Sequence, residues 1–368
     1  MLNKLFLYLK NLDWILFFAV LLLLSFSLVE IYSIALGQET LDLLNFKKQI
    51  IFIIGGISLM FFFAFLDYHL IKNFAKYLYI IGFLVLLGVL IFGATIRGTQ
   101  GWIYLFGFGI QPVEFAKIIL IITLAYFFSS KSLQIRPFKQ LILSGAVSLT
   151  YIFLVLMQPD FGSSLILLSI WGVALFVTGF NKKYFIIMGL ILVMVFGFSW
   201  GVFFKDYQKE RVMTFLNPGA DPLNEGYNIS QAIIAVGAGR ITGRGVGFGS
   251  QSQLKFLPEA QNDFIFAVIS EELGFLGSSL VLVFFMIIYY RFLAHLKKIN
   301  NDFGIYFILF SMGLIFIEMF INIGMNIGIL PVIGISLPFL SYGGSVMLSH
   351  LILIGIIQSI IIRSKINY

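Results

Sequence analysis

Cysteine is absent from the 368 residues, which removes disulfide frameworks and thiolate metal sites from consideration. Charge is scarce as well: charged residues make up 11% of the chain, against about 25% in an average soluble domain. With 60% of the residues hydrophobic, that shortage places the chain in a membrane and leaves no stretch suited to a separate soluble domain. The three histidines, His69, His295 and His350, lie far apart without ligand spacing, so a zinc enzyme is not expected. No glycine run ends in the Gly-Lys-Ser/Thr of a P-loop, and no Ser-x-x-Lys acyl-transfer motif lies on the outer side as assigned below. No inverted repeat of the transporter kind is visible, which disfavours alternating access.

What the chain does have is apolar stretches of membrane-crossing length, near 13–34, 48–66, 75–95, 114–130, 140–157, 161–179, 184–204, 263–290, 304–328 and 344–362. The expected fold is an all-α integral membrane protein of about ten transmembrane helices, one polytopic domain over residues 1–368. A long, partly helical extracellular loop at about 205–262 separates helices 7 and 8. It keeps a helix-like apolar patch from Ile229 to Val236, so it is expected to form an outer roof of short amphipathic helices.

The net charge of +7 follows from orientation rather than from nucleic acid. Alternate connections hold Lys4 and Lys10, Lys72 and Lys76, Lys131, Arg136 and Lys139, Lys182 and Lys183, Arg291, Lys297 and Lys298, and Arg363 and Lys365. By the positive-inside rule these are cytoplasmic, and so are both termini. The first apolar run is too long for a signal-peptide core and lacks a small-residue cleavage site, so it reads as a retained helix.

Glycine, proline and aromatic residues gather on the opposite side. There Phe256 to Gly277 carries four carboxylates, Glu259, Asp263, Glu271 and Glu272, into the start of an apolar helix. Acids entering a membrane are costly and mark function by default. On a continuous helix Asp263 and Glu271 are about 80° apart, with Glu271 about 12 Å deeper.

Gln111-Pro112-Val113-Glu114 and Gln158-Pro159-Asp160 both place proline and then an acid at a helix start. First-turn acids complement the positive helix end, so Asp160 is either a cap or a binding group. Lys117, three residues after Glu114 on one helix face, adds an intramembrane ion pair able to hold an anionic headgroup. The run Gly237 to Gly249, with Arg240 and Arg244, is either a phosphate cradle or a tightly packed loop. Trp102 is either an interface anchor or a binding residue. Glu318 and His350 are isolated polar groups expected to hydrogen-bond to neighbouring helices.

Taken together, Phe256-Leu-Pro-Glu259, Asp263-Phe-Ile-Phe-Ala267, Glu271-Glu-Leu-Gly274, Gln111 to Lys117, Gln158 to Gly162 and Leu337 to Gly344 resemble the SEDS family of shape, elongation, division and sporulation proteins, end to end. Asp221 to Ile229 and Gly249 to Leu254 are more similar to its elongation branch, RodA, than to its division branch, FtsW. The resemblance implies a peptidoglycan glycosyltransferase that polymerises lipid II on the outer face of the bacterial cytoplasmic membrane, with a class B penicillin-binding protein as partner. It maps the family's essential aspartate onto Asp263 and its outer-loop tryptophan onto Trp102. Gly101 stands where many members carry arginine, with Arg97 its candidate substitute, and Lys48 stands where arginine is common.

On this reading Asp263 is the general base for the acceptor hydroxyl. Lys117, with Lys48, Arg97, Arg211, Arg240 and Arg244, stabilises the departing pyrophosphate, with Mg or Mn as a candidate divalent helper. Glu114, Asp160, Trp102 and Glu271 complete the expected substrate contacts. Inversion at the anomeric carbon fits one direct displacement. The rival is a lipid flippase without chemistry, which predicts charges lining the full membrane thickness rather than gathered at one side.

Overall fold

The computed structural model describes residues 2–37, 42–96, 98–105, 107–131, 136–202, 209, 213 and 225–366. Arg97 and Arg211 lie outside them.

Helices cover each of the ten apolar stretches. After the short α1 (Leu2–Asn11) come α2 (Trp14–Leu36), α3 (Leu44–Phe65), the short α4 (Tyr68–Asn73), α5 (Ala75–Phe92), α6 (Pro112–Lys131), α7 (Pro137–Met157), α8 (Phe161–Val177) and α9 (Lys182–Val202). Then follow α10 (Glu225–Ala238), the four-residue α11 (Ser250–Gln253), α12 (Ile265–Leu296), α13 (Asp302–Asn326) and α14 (Gly344–Ile366). Eight of these, α2, α3, α5, α6, α7, α12, α13 and α14, are long and apolar enough to cross a membrane, and α8 is apolar but shorter.

The helical fold is as expected, with one small sheet added to it. Residues 94–110 form a three-stranded antiparallel sheet, β1 (Ala94–Ile96), β2 (Thr99–Leu105) and β3 (Phe108–Ile110), in the order β1-β2-β3. The β-branched and aromatic residues Thr99, Trp102, Ile103 and Tyr104 favour a strand, and Gly98 and Gly107, both at positive φ, supply the turns.

α14 is the centre of the bundle. Its apolar residues run all round the helix, and residues from Ser345 to Arg363 are buried on every face. It packs closely on α3: a Cβ at Gly355 would stand 2.5 Å from the Met60 carbonyl oxygen, so the small residue permits the approach. The apolar side chains left exposed, such as Ile80, Ile81 and Leu84 on α5, form the surface that lipid covers.

The basic ends of the helices meet at one side. Asp13 caps α2 by accepting from the Leu16 N–H at 3.2 Å, and its other oxygen meets Arg291 Nε at 2.8 Å and His295 Nε2 at 2.6 Å. Gln358 clasps the Asp13 backbone, accepting from its N–H and donating to its carbonyl, each at 2.9 Å. Burial alone would raise the Asp13 pKa, but the hydrogen bonds from His295 and Arg291 outweigh it and hold the carboxyl at about 2.

α12 is not continuous. Gly274, at φ 67 and ψ −161, breaks it in a backbone region open to glycine. Nine residues from Ile265 put the break about 14 Å into the helix. The groups it frees are satisfied by the glycine-rich run: Arg244 N–H donates to the Glu271 carbonyl (3.0 Å) and Gly245 N–H to that of Glu272 (2.9 Å). In return Phe275 and Leu276 donate to the Arg240 and Ile241 carbonyls at 2.9 and 3.1 Å. Non-helical backbone at this depth is tolerated because these four freed groups find partners. The expected roof is therefore a wedge: α10 packs along α12 with Ile229, Ala232 and Ala235 buried, and the run after it enters the break.

Candidate functional site

The segment before α12 is folded into a tight turn around Glu259, a non-glycine residue at φ 52. The Asp263 and Phe264 N–H groups donate back to the Glu259 carbonyl at 3.2 and 3.4 Å, and Asn262 Nδ2 donates to its carboxylate at 2.6 Å. Asp263 ends this turn, before the helix begins at Ile265, so the 80° relation to Glu271 expected from a continuous helix does not apply. The residue at the cap position is Phe264, and the Ala267 N–H of the first turn is taken by Asn326 Oδ1 of α13 at 2.9 Å.

Two asparagines one turn apart on α13 hold Asp263 in place. Asn322 and Asn326 each donate an amide N–H to its backbone carbonyl, at 3.0 and 2.9 Å. Asn322 also donates to the Ile335 carbonyl at 2.7 Å, tying in the loop between α13 and α14. That loop passes beside the carboxylate: Asp263 Oδ2 lies 3.7 Å from where a Cβ would stand on Gly334, whose positive φ keeps the position open. Further along, Ser341 Oγ donates to the Asn262 carbonyl at 2.6 Å and Tyr342 N–H to that of Gln261 at 2.8 Å. The first turn of α3 closes the other side through Asn45, which donates to Gln261 Oε1 at 2.9 Å. Lys48, partly exposed and three residues on from Asn45, shares that face.

Behind the turn sits a buried cluster. Lys117 Nζ donates to Glu114 at 2.8 and 3.0 Å and to Glu318 Oε1 at 2.9 Å, while His350 Nε2 meets Glu318 Oε2 at 2.7 Å. His350 Nδ1 faces the Val346 carbonyl at 2.8 Å, so that nitrogen carries a hydrogen. The other nitrogen faces a carboxylate, so a second proton lies on the His350–Glu318 contact. With Lys117 and His350 charged against Glu114 and Glu318, the cluster is internally neutral, as burial requires. Ile118, Leu314, Ser349 and Leu353 enclose it. Glu318, Asn322 and Asn326 form one stripe at four-residue spacing on α13, so the cluster lies about 6 Å, one turn, from the clamp on Asp263.

The sequence reading placed Glu114, Lys117 and Asp263 in one region, and the structure does so through this stripe. Glu318 and His350 do hydrogen-bond to neighbouring helices as expected, and each is the other's partner. The asparagine pair was missed altogether, although polar residues at four-residue spacing in an apolar helix are the signal that shows it.

Other expected contacts are placed elsewhere. Asp160 caps α8, accepting from Ser163 N–H at 2.9 Å and Ser163 Oγ at 2.8 Å, with Gln111 Nε2 at 3.3 Å. Trp102 lies on β2, its ring over Gly109 of β3. Glu271 is fully buried and holds α11, accepting from the Gln251 and Ser252 N–H groups at 2.8 and 3.1 Å. Arg240 and Arg244 are exposed at the break in α12, more than two turns from its Asp263 end. The glycine run spends its amides on the broken helix, which is the packing role rather than the phosphate cradle.

A family model described as cell cycle protein, FtsW/RodA/SpoVE, matches residues 13–366. Among curated relatives, stage V sporulation protein E of Bacillus subtilis is 36% identical over 357 residues, covering 95% of this chain and 96% of that one. The peptidoglycan glycosyltransferase MrdB of Escherichia coli K12 is 37% identical over 358 residues, covering 95% and 93%. A chain in a solved peptidoglycan synthase complex that coordinates polymerization and crosslinking superposes with a TM-score of 0.80 at 27% identity, covering 96% of this chain and 98% of that one. The rod shape determining protein RodA of Thermus thermophilus shares the fold, with a TM-score of 0.72 at 24% identity over 97% and 98% of the two chains. With its motifs in order and its length matched almost end to end, this chain belongs to the FtsW/RodA/SpoVE family, the SEDS proteins.

Proposed function

We propose that this protein is a peptidoglycan glycosyltransferase that polymerises lipid II on the outer face of the bacterial cytoplasmic membrane. The observation that carries the reading is Asp263: its backbone is clamped by two asparagines at the end of a broken helix, one turn from a neutral buried charge cluster. A general base must be held still against its proton donor, and this clamp fixes the residue without using its carboxylate. The curated relatives named peptidoglycan glycosyltransferase support the same chemistry.

In this mechanism Asp263 takes the proton of the acceptor sugar hydroxyl as that oxygen attacks the anomeric carbon. The bond to the pyrophosphate breaks in the same displacement, inverting the configuration. Lys48 is the described cation best placed to meet the leaving group, with Arg97 and Arg211 as further candidates outside the described residues. Lys117 already satisfies two carboxylates, so its part is to keep the cluster neutral and set the field behind Asp263. Among the described residues no group of three or more His, Cys, Asp or Glu is arranged to hold a metal, so Mg or Mn would act by accompanying the pyrophosphate. The polyprenyl tail would lie against the apolar outer surface of the helices.

The elongation role is preferred on the Asp221 to Ile229 and Gly249 to Leu254 strings, with a class B penicillin-binding protein as partner and both termini cytoplasmic. The decisive experiment supplies purified protein with lipid II in detergent, alone and with that transpeptidase. Glycan strands that disappear in Asp263→Asn support the reading. Lipid II transport in vesicles without strand formation under either condition would replace it with the flippase.

A further inference from the structure

A second acidic site lies at the junction of α2, α12 and the segment that follows the glycine run. Glu30 on α2 is fully buried, and neither of its oxygens has a hydrogen-bond partner. One turn further along α2, Ser33 reaches Glu272 of α12, which is fully buried too, so the two carboxyls share one junction. Glu272 differs in being surrounded by donors. Ser33 Oγ, one turn from Glu30 on α2, lies 2.6 Å from both its oxygens. Gly247 N–H, Ser252 Oγ and Gln253 Nε2 each approach it at 3.2 Å.

The donor census assigns the charge. A buried carboxylate accepting several hydrogen bonds is stabilised as the anion, and Glu272 is in that position. Glu30 receives no donor and faces an anion, so a second negative charge there would be both desolvated and repelled. The other charged groups packed around it do not relieve this. Glu271, beside Glu272, turns to the N–H groups of α11, and Arg244 donates to Ser250. Lys47 and Lys48 at the start of α3 form no ion pair with either carboxylate, and among the described residues neither does any other cation.

We infer that Glu30 and Glu272 form a buried proton-binding site, in which Glu30 is the carboxylic acid and donates its hydrogen to the Glu272 carboxylate. The bound proton joins α2 to the Glu272 junction, where residues 247–253 are gathered. Their docking therefore depends on one proton at a place well separated from Asp263. Gln at position 30 reproduces this state, since its amide donates to Glu272 without carrying a charge.

The test needs no turnover, so it succeeds or fails independently of the glycosyltransferase reading. Infrared difference spectra of the purified protein and Glu30→Gln, at neutral pH, should show the carbonyl stretch of a protonated carboxylic acid in the first and not in the second. Thermal melting across pH gives a second readout. A proton bound in the folded state and not in the unfolded one stabilises less as pH rises, so the parent should lose stability from mildly acidic to mildly alkaline pH relative to Glu30→Gln. Glu30→Ala, with neither proton nor amide, should melt below both. Identical carboxyl bands in the parent and Glu30→Gln would overturn the proposal. A rise in melting temperature with Mg2+, Ca2+ or Na+ that Glu30→Gln abolishes would also overturn it, since a cation rather than a proton would then hold the pair.

Discussion

Asn326 and Asp263 are joined in a way that makes each necessary to the other: one amide N–H of Asn326 holds the Asp263 carbonyl at 2.9 Å. The same side chain's oxygen takes the first-turn N–H of Ala267, so a single asparagine fixes both the end of the turn and the start of the helix.

Asp263→Asn should preserve the fold, because the backbone of residue 263 stays held by Asn322 and Asn326. Polymerisation should fall by about a hundredfold or more, since an amide cannot take a proton at neutral pH. Glycan strand synthesis beside a thermal melt measures this. Near-parent synthesis by the folded variant removes Asp263 from the mechanism.

Asn326→Asp keeps an acceptor for Ala267 but loses the donors to Asp263 and Asn322. It should cost about 1–3 kcal/mol of stability through the lost hydrogen bonds and the buried carboxylate. The rate per folded molecule should also drop about tenfold or more, because the base is no longer held in register. A lowered melt with an unchanged rate would make the asparagine a packing residue.

Lys117→Met leaves Glu114 buried without its cation and should destabilise by about 3–5 kcal/mol. Glu114→Gln combined with Lys117→Met restores neutrality, since Glu318 keeps His350, and should recover much of the melt. If the double variant also recovers polymerisation, the pair is structural and the field assigned to Lys117 is not needed.

At the opposite end, Asp13 fixes an acid limit. Its carboxyl is held at about 2 against an ordinary 3.8, so its contribution is complete above 3.8 and is lost as pH falls through about 2. The shift corresponds to about 2 kcal/mol. Melting curves in the acid range should show the parent losing its advantage over Asp13→Asn as pH falls; a constant difference would contradict the assignment.

Hydrophobic length made the helices legible, because it is a local property of the chain. The meeting of Asp13 with Arg291 and His295 joins the ends of α2 and α12 across about 280 residues, which no local property signals. What the chain conceals is partnership over distance. Glu318 and His350 read as isolated groups because 32 residues separate them. Gly274 reads as an ordinary helix glycine, since its partners lie in the Arg240 to Gly245 run, and nothing local marks the exchange.

The break in α12 also determines how that helix is held. Four backbone hydrogen bonds cross between it and the glycine run, two on each side of Gly274. The short half leads to Asp263, while the longer half is anchored through Arg291 and His295 to Asp13. Gly274 thus divides α12 into a short arm, held to α13 through Asp263 and Ala267, and a long shaft fixed at Asp13, with the glycine run stitched to both.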